Sequence, residues 1–235
     1  MSNSGGRMSG KCCIVTGGAR GLGRAIAAAF IREGALILIT DIDEAAGAEA
    51  ASDIGAKFAV QDVTREDRWP EIIAACQDQF DGFDVLVNNA GLVETGAKTG
   101  GGVSPEDTSL SAWKRTFSVN VDGVFLGCRA AIPAMRQSGG GSIINMSSVA
   151  SLTPTPFLTA YGASKAAVAH LSTSVALHGA PDKIRCNSVH PGQVQTDLHS
   201  NMVRDMASMA DAPVSDVEAD FAARIPLSEF GQASD

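Results

Sequence analysis

Cys12-Cys13-Ile14-Val15-Thr16-Gly17-Gly18-Ala19-Arg20-Gly21-Leu22-Gly23 is the stretch on which the fold turns. Its four leading apolar residues make a short run of the kind found in strands buried on both faces. The glycines that follow let the chain turn tightly and bring backbone N–H groups close to a pyrophosphate. A helix starting among them adds its exposed amides and its dipole to the same task. The spacing is G-x-x-x-G-x-G rather than the generic G-x-G-x-x-G, and glycine-rich turns are common. The weight therefore falls on position, between the first strand candidate and the first helix candidate. Gly17, Arg20, Gly21, Leu22 and Gly23 are candidate cofactor-binding residues.

Outward from this turn, apolar runs and helical patterns alternate. Strand candidates are 12–15, 35–40, 57–61, 84–87, 142–146 and 183–189, and helical spacing marks 24–32, 44–54, 66–80, 110–135 and 160–177. The alternation predicts an α/β fold, a single-domain doubly wound parallel sheet of the Rossmann kind. Residues 1–10, polar and glycine-rich, read as a flexible lead, and 11–235 as the one domain. The glycine-rich loop over 91–108 is long enough to be functional or mobile. Asp41 closes the second strand 20 residues after Gly21, where a dinucleotide fold holds the adenosine ribose hydroxyls with an acid. A carboxylate there repels the 2′-phosphate of NADP, so NAD is the expected cofactor. Arg20 is a counter-signal, since a guanidinium can pair with that phosphate. The plainer alternative for Asp41 is a residue that starts a turn.

The 235 residues carry 18 Lys and Arg against 26 Asp and Glu, for a net charge of −8. An acidic chain without a basic run makes nucleic acid or an anionic membrane a poor partner. No apolar stretch approaches the length of a membrane span. The five cysteines (Cys12, Cys13, Cys76, Cys128 and Cys186) have no C-x-x-C spacing, which fits buried thiols in a reducing cytoplasm. His170, His178 and His199 have no clustered partners, so no metal is expected and they read as structural or exposed. There is a single tyrosine, Tyr161.

Tyr161 and Lys165 stand at i and i+4 in a helical stretch, on one helix face. A free phenol titrates near pH ~10, too high for a base at neutral pH, and a nearby ammonium would lower it. Ser148 follows the fifth strand candidate, at the strand end where such sheets place ligand chemistry. A hydroxyl there can hold a substrate carbonyl beside the phenol. With these residues, T-G-G-A-R-G-L-G at 16–23, Asp62-Val63, N-N-A-G at 88–91, Asn120 in V-N-V-D-G-V-F and P-G-x-V-x-T at 191–196 occur in order. The chain resembles the short-chain dehydrogenase/reductase family, in its single-domain branch, over roughly residues 8–231.

The resemblance implies hydride transfer between NAD and a secondary alcohol or ketone. Tyr161 would be the general acid/base and Ser148 would orient the substrate oxygen. Lys165 would bind the nicotinamide ribose and lower the tyrosine pKa, and Asn120 would hold a water in a proton relay. Asn120 also reads as a helix-kink or core amide. Asp62 and Val63 fall at the adenine position, Asn89, Ala90 and Gly91 would line the cleft, and Val194 and Thr196 would hold the carboxamide. Val149, Ala150, Leu152, Pro154, Pro156, Phe157 and Leu158 would wall an apolar substrate pocket. Leu198, Met202, Met206 and Met209 would lie on one face of a flap within 193–225, or belong to ordinary core. S-V-H-P-G at 188–192 is similar to secondary-alcohol and hydroxysteroid dehydrogenases, which suggests a hydrophobic or cyclic substrate. An NADPH-dependent 3-oxoacyl thioester reductase and a catalytically silent nucleotide-binding homologue are the alternatives. The family continues past Leu227 through a helix and a last strand, which this chain is expected to lack. That leaves the homo-tetramer or homo-dimer the family implies in doubt, because a bared sheet edge is a liability.

Overall fold

The computed structural model describes residues 6–95, 101 and 104–235. Six strands, β1 (Cys12–Thr16), β2 (Leu36–Asp41), β3 (Lys57–Val60), β4 (Val85–Asn88), β5 (Gly141–Met146) and β6 (Ile184–Val189), form one parallel sheet in the order β3-β2-β1-β4-β5-β6. All six strand candidates are present to within one residue at each end. The order reverses between β1 and β4, which opens a crevice beyond the carboxyl ends of those strands. This is a Rossmann-like α/β sheet. Its connections contain α1 (Gly21–Arg32), α2 (Glu44–Ile54), α3 (Arg68–Phe80), α4 (Leu110–Phe117), α5 (Gly123–Gln137) and α6 (Thr159–Gly179). After β6 come β7 (Val194–Gln195), α7 (Asp197–Ala210), α8 (Val214–Ala223) and β8 (Gly231–Gln232). Among the described residues no strand joins the sheet beyond β6, and β8 instead pairs parallel with β7.

Alternate strand residues face opposite layers. Ile14, Leu38, Leu86 and Ile143 meet Trp69 and Ile72 of α3, Cys128 and Met135 of α5 and Val168 of α6. Val15, Ile39 and Val87 meet Ala27 of α1 and Ala50 of α2 on the other side. All five cysteines are free and buried. One step beyond the first layer the same face turns polar. Thr16 is in register with Thr40, Asn88 with Asn145, and Asn145 with Ser188. Most of these groups have hydrogen-bond partners in the row or beside it, as buried polar atoms usually do, though Thr40 Oγ1 has none among the described residues. Asn88 Nδ2 donates to Asn145 Oδ1 at 2.8 Å, Asn145 Nδ2 donates to Ser172 Oγ at 2.9 Å, and Thr16 Oγ1 accepts the N–H of Asn89 and Ala90 at 3.0 Å. The row runs across the sheet just below the crevice and fixes the segment after β4.

Three expectations are corrected. The helix predicted over 110–135 is interrupted: α4 passes through a π-helical turn at Ser118–Asp122 before α5 begins. The described part of the lead is tied down rather than flexible, because Met8 N–H donates to Glu33 O at 3.0 Å and Arg7 pairs with Glu33 at 2.8 Å. The face of α7 that is buried carries Met202, Val203 and Ala207, whereas Leu198 and Met209 are exposed. Positions 203 and 207 centre the apolar stripe a third of a turn from where the methionine spacing put it. Residues 1–5 of the lead, and 96–100 and 102–103 of the glycine-rich loop, lie outside the described residues.

Candidate active site

The turn after β1 is built for close approach. Gly17 has φ +63°, and a Cβ on Gly23 would sit 2.1 Å from Gly17 O, so a side chain at either position would displace the loop. The start of α1 has no side-chain cap and no acid in its first turn. Asp43 caps α2, Ser109 caps α4 and Thr196 caps α7, whereas α3, α5, α6 and α8 share the bare start of α1. What sets α1 apart is the glycine turn that leads into its free amides. Leu22 contributes only backbone there, since its side chain packs with the α1–α2 layer. Thr196 lies across the turn, its Cγ2 3.5 Å from where a Gly21 Cβ would be.

Asp41 stands beside the turn, its Oδ2 accepting Ala19 N–H and its Oδ1 accepting Asp43 N–H, each at 3.1 Å. Arg20 Nη2 pairs with Asp43 Oδ2 at 2.5 Å. Asp62 is bound to its own turn, with Oδ1 accepting Thr64 N–H at 2.9 Å and Thr64 Oγ1 at 2.8 Å. Val63 is buried, and its carbonyl accepts Trp69 Nε1–H at 3.0 Å. Asn89 Nδ2 donates to Thr16 O at 2.9 Å and to Gly17 O at 3.0 Å, tying the β4 exit to the glycine turn. These residues fit a dinucleotide: a bare helix start, an acid at the β2 end, and a cleft floor with no side chain at Gly91. Val194 lies on the small β7–β8 pair, opposite Gly231.

Gly91, Asn120 and Lys165 converge. A Cβ on Gly91 would lie 3.3 Å from Asn120 Oδ1 and 3.4 Å from Lys165 Nζ. Asn120, fully buried in the π-turn, spends its amide on structure. Oδ1 accepts Leu92 N–H at 2.9 Å, and Nδ2 donates to Leu92 O at 3.0 Å and to Ser164 Oγ at 3.1 Å. Both its amide protons are therefore committed, as the core-amide alternative requires. Lys165 Nζ donates to Met146 O at 2.7 Å, and burial pushes the ammonium down to about 8. The same Nζ lies 5.6 Å from the Tyr161 ring centre. Ser148 caps a short 3₁₀ turn at the end of β5, Oγ accepting Ala150 N–H at 3.1 Å, and lies near enough to the Tyr161 phenol to act on it. In the protein by itself, burial raises the Tyr161 phenol above its ordinary value and Ser148 pulls it part of the way back. Residues Leu158, Met202, Val203 and Phe221 form an apolar cluster against which Tyr161 and Phe157 pack. Val149 and Leu152, expected in the pocket wall, are exposed.

Two features carried no signal in their own motifs. Thr95, buried, donates from Oγ1 to Asp205 Oδ2 at 3.0 Å and joins the β4 exit to α7. The row through Thr16, Asn88 and Asn145 was visible only as polar residues two steps past each strand's last core residue. His199 packs its ring against Phe221 and Phe230 at 5.7 and 5.1 Å, and burial lowers its pKa, while His170 and His178 are exposed. Among the described residues no group of three potential ligands could hold a metal, and no helix is long and apolar enough to cross a membrane.

A crossover crevice lined by glycine and ending at a buried Ser–Tyr–Lys cluster places the molecule in the class of Rossmann-type oxidoreductases. The family model for short chain dehydrogenase matches residues 11–207, and the chain belongs to that family. It is 39% identical over 207 residues to a 3-alpha-(or 20-beta)-hydroxysteroid dehydrogenase of Mycobacterium tuberculosis, covering 87% of this chain and 77% of the relative. It is 41% identical over 199 residues to an NADP-dependent (R)-specific alcohol dehydrogenase of Lentilactobacillus kefiri, covering 82% and 76%. A cyclopentanol dehydrogenase of Comamonas sp. is 38% identical over 216 residues, covering 89% and 80%.

Proposed function

We propose that the chain transfers hydride between NAD(H) and a hydrophobic, cyclic secondary alcohol or its ketone, with Tyr161 as general acid/base. The observation that carries this is the convergence of Ser148, Tyr161 and a buried Lys165 at the carboxyl end of β5. A bound oxidised nicotinamide dinucleotide supplies the hydride acceptor and a positive charge near the phenol. In oxidation the Tyr161 phenolate takes the substrate hydroxyl proton as the carbinol C–H bond breaks, and in reduction the phenol returns it to the carbonyl oxygen. Ser148 Oγ donates to that oxygen and holds it at the phenol. Lys165, a cation below pH 8, would bind the nicotinamide ribose, and its charge with that of the nicotinamide would offset the burial of the phenol.

The uncapped start of α1, with Gly17, Gly21 and Gly23, would hold the pyrophosphate, and Asp41 the adenosine ribose. Asp62 and Val63 would flank adenine, and Asn89, Ala90, Gly91, Val194 and Thr196 the nicotinamide side. Asp41 and Asp43 around one Arg20 favour NAD over NADP, since a 2′-phosphate would meet net negative charge. The apolar cluster over Tyr161, together with relatives named for steroid and cyclopentanol substrates, supports a cyclic substrate.

The test is turnover of cyclopentanol, cyclohexanol and a 3α-hydroxysteroid with NAD⁺ and NADP⁺. Tyr161→Phe is expected to lower kcat by roughly 10³-fold or more with dinucleotide affinity changed less than about threefold. Unchanged turnover in that variant sinks the proton-transfer role. Binding without turnover across the panel favours a silent homologue. A tenfold preference for NADPH, about 1.4 kcal/mol, overturns the choice of NAD.

A further inference from the structure

His190 occupies a place in the Ser148 turn that the proposed chemistry does not use. It follows β6 and is half-buried. Its Nδ1 lies 2.9 Å from Ser151 Oγ and 3.2 Å from Ser148 O, and its Nε2 lies 2.9 Å from Ser188 Oγ. Ser151 Oγ itself donates to Ser148 O at 2.7 Å. The hydrogens can then be assigned. The Ser151 hydroxyl has one proton and gives it to Ser148 O, and a carbonyl can only accept. Nδ1 must therefore carry a proton and point it at Ser151 Oγ and Ser148 O. Nε2 is hydrogen-bonded with Ser188 Oγ. Ser188 in turn belongs to the polar row of the sheet, in register with Asn145.

We propose that His190 is a positioning residue: through its Nδ1–H it braces the turn at 148–151 from β6 and so aims Ser148 Oγ at the substrate oxygen and Tyr161. The proposal rests on the proposed role of Ser148. The backbone has its own ties: Ser147 N–H donates to Val189 O at 2.8 Å, Val149 N–H to Pro191 O at 3.1 Å, and Ser151 N–H to Ser148 O at 3.0 Å. The imidazole adds the side-chain link from β6 to Ser151 Oγ and Ser148 O. Without it the turn keeps its backbone bonds but loses that brace, and the aim of Ser148 Oγ loosens. Such a residue changes the rate of the bound complex more than its formation.

The experiment compares His190→Asn, His190→Gln and His190→Ala in the holoenzyme, using the fastest alcohol of the panel. An Asn amide nitrogen falls near the position of Nδ1, whereas a Gln amide reaches toward that of Nε2. His190→Ala and His190→Gln are expected to lower kcat by about tenfold or more while KM for the alcohol and dinucleotide affinity move less than about threefold, and His190→Asn to recover most of kcat. In a Ser148→Ala background, His190→Ala should cost nothing further. Wild-type kcat in His190→Ala, rescue by Gln as complete as by Asn, or a full additional loss in the Ser148→Ala background would overturn the positioning role. If His190→Ala does not fold, the Asn and Gln variants alone decide. Ser148→Ala retaining full kcat overturns the role of Ser148 itself, a failure separate from one confined to His190.

Discussion

Lys165 is a cation held almost entirely out of water, 4% exposed, with Met146 O as its hydrogen-bond acceptor. Burial lowers its pKa from 10.5 to about 8. Between those values the unfolded chain binds more protons than the folded one, so stability rises as pH rises through that window. A shift of this size corresponds to about 3 kcal/mol by linkage. The urea midpoint of the cofactor-free protein should therefore climb from about pH 8 to about pH 9.5, and Lys165→Met should flatten that climb. An equal climb in the variant would place the effect elsewhere. Above its ordinary value of 10.0, Tyr161 acts oppositely, because burial raises its pKa and folding then favours the protonated form. The i, i+4 spacing of Tyr161 and Lys165 and the place of Ser148 at a strand end were legible in the chain. The direction of the phenol shift was not, because desolvation depends on what packs around it from α7 and α8.

At the scale of elements, the π-turn at Ser118–Asp122 shows what periodicity misses. Apolar spacing over 110–135 is compatible with one unbroken helix, and a single extra residue barely disturbs that pattern. What selects the turn is distant in sequence: the Asn120 side chain bonds both the N–H and the C=O of Leu92. Asn120→Leu would leave those two groups without partners, at a cost of about 2–4 kcal/mol. Chemical denaturation is the measure. A loss below about 0.5 kcal/mol would mean that water replaces the amide at Leu92. The glycine turn behaves differently. Its conformation is demanded locally, by Gly17 at positive φ and Gly23 against Gly17 O, and so it could be read directly.

At the scale of the molecule, a sheet layer and a smaller cap meet over Tyr161. The cap is α7, α8 and the β7–β8 pair, joined to the sheet layer by the cluster around Phe221 and by the Thr95–Asp205 bond. Phe221 sits at its centre, edge-on to Phe157 at 5.9 Å. Phe221→Ala should cost about 3 kcal/mol, and the loss should be local. Amides of α7 and α8 should exchange faster, those of β1 to β6 should keep their protection, and KM for a cyclic alcohol should rise. Equal loss of protection in the sheet would show that cap and sheet unfold as one unit.

By itself the sequence determined the alternation of strands and helices, the glycine turn after β1 and the i, i+4 spacing of Tyr161 and Lys165. Each of these depends on local patterns: period-two burial, glycine φ, and helical spacing. Tertiary structure alone decided that Arg20 answers to Asp43, that Asn120 braces Leu92, that His190 stands behind Ser148, and that burial raises the phenol in the protein by itself. Those outcomes follow from which groups the packed sheet brings within hydrogen-bond reach and which it removes from water, and both are set by contacts between residues far apart in the chain.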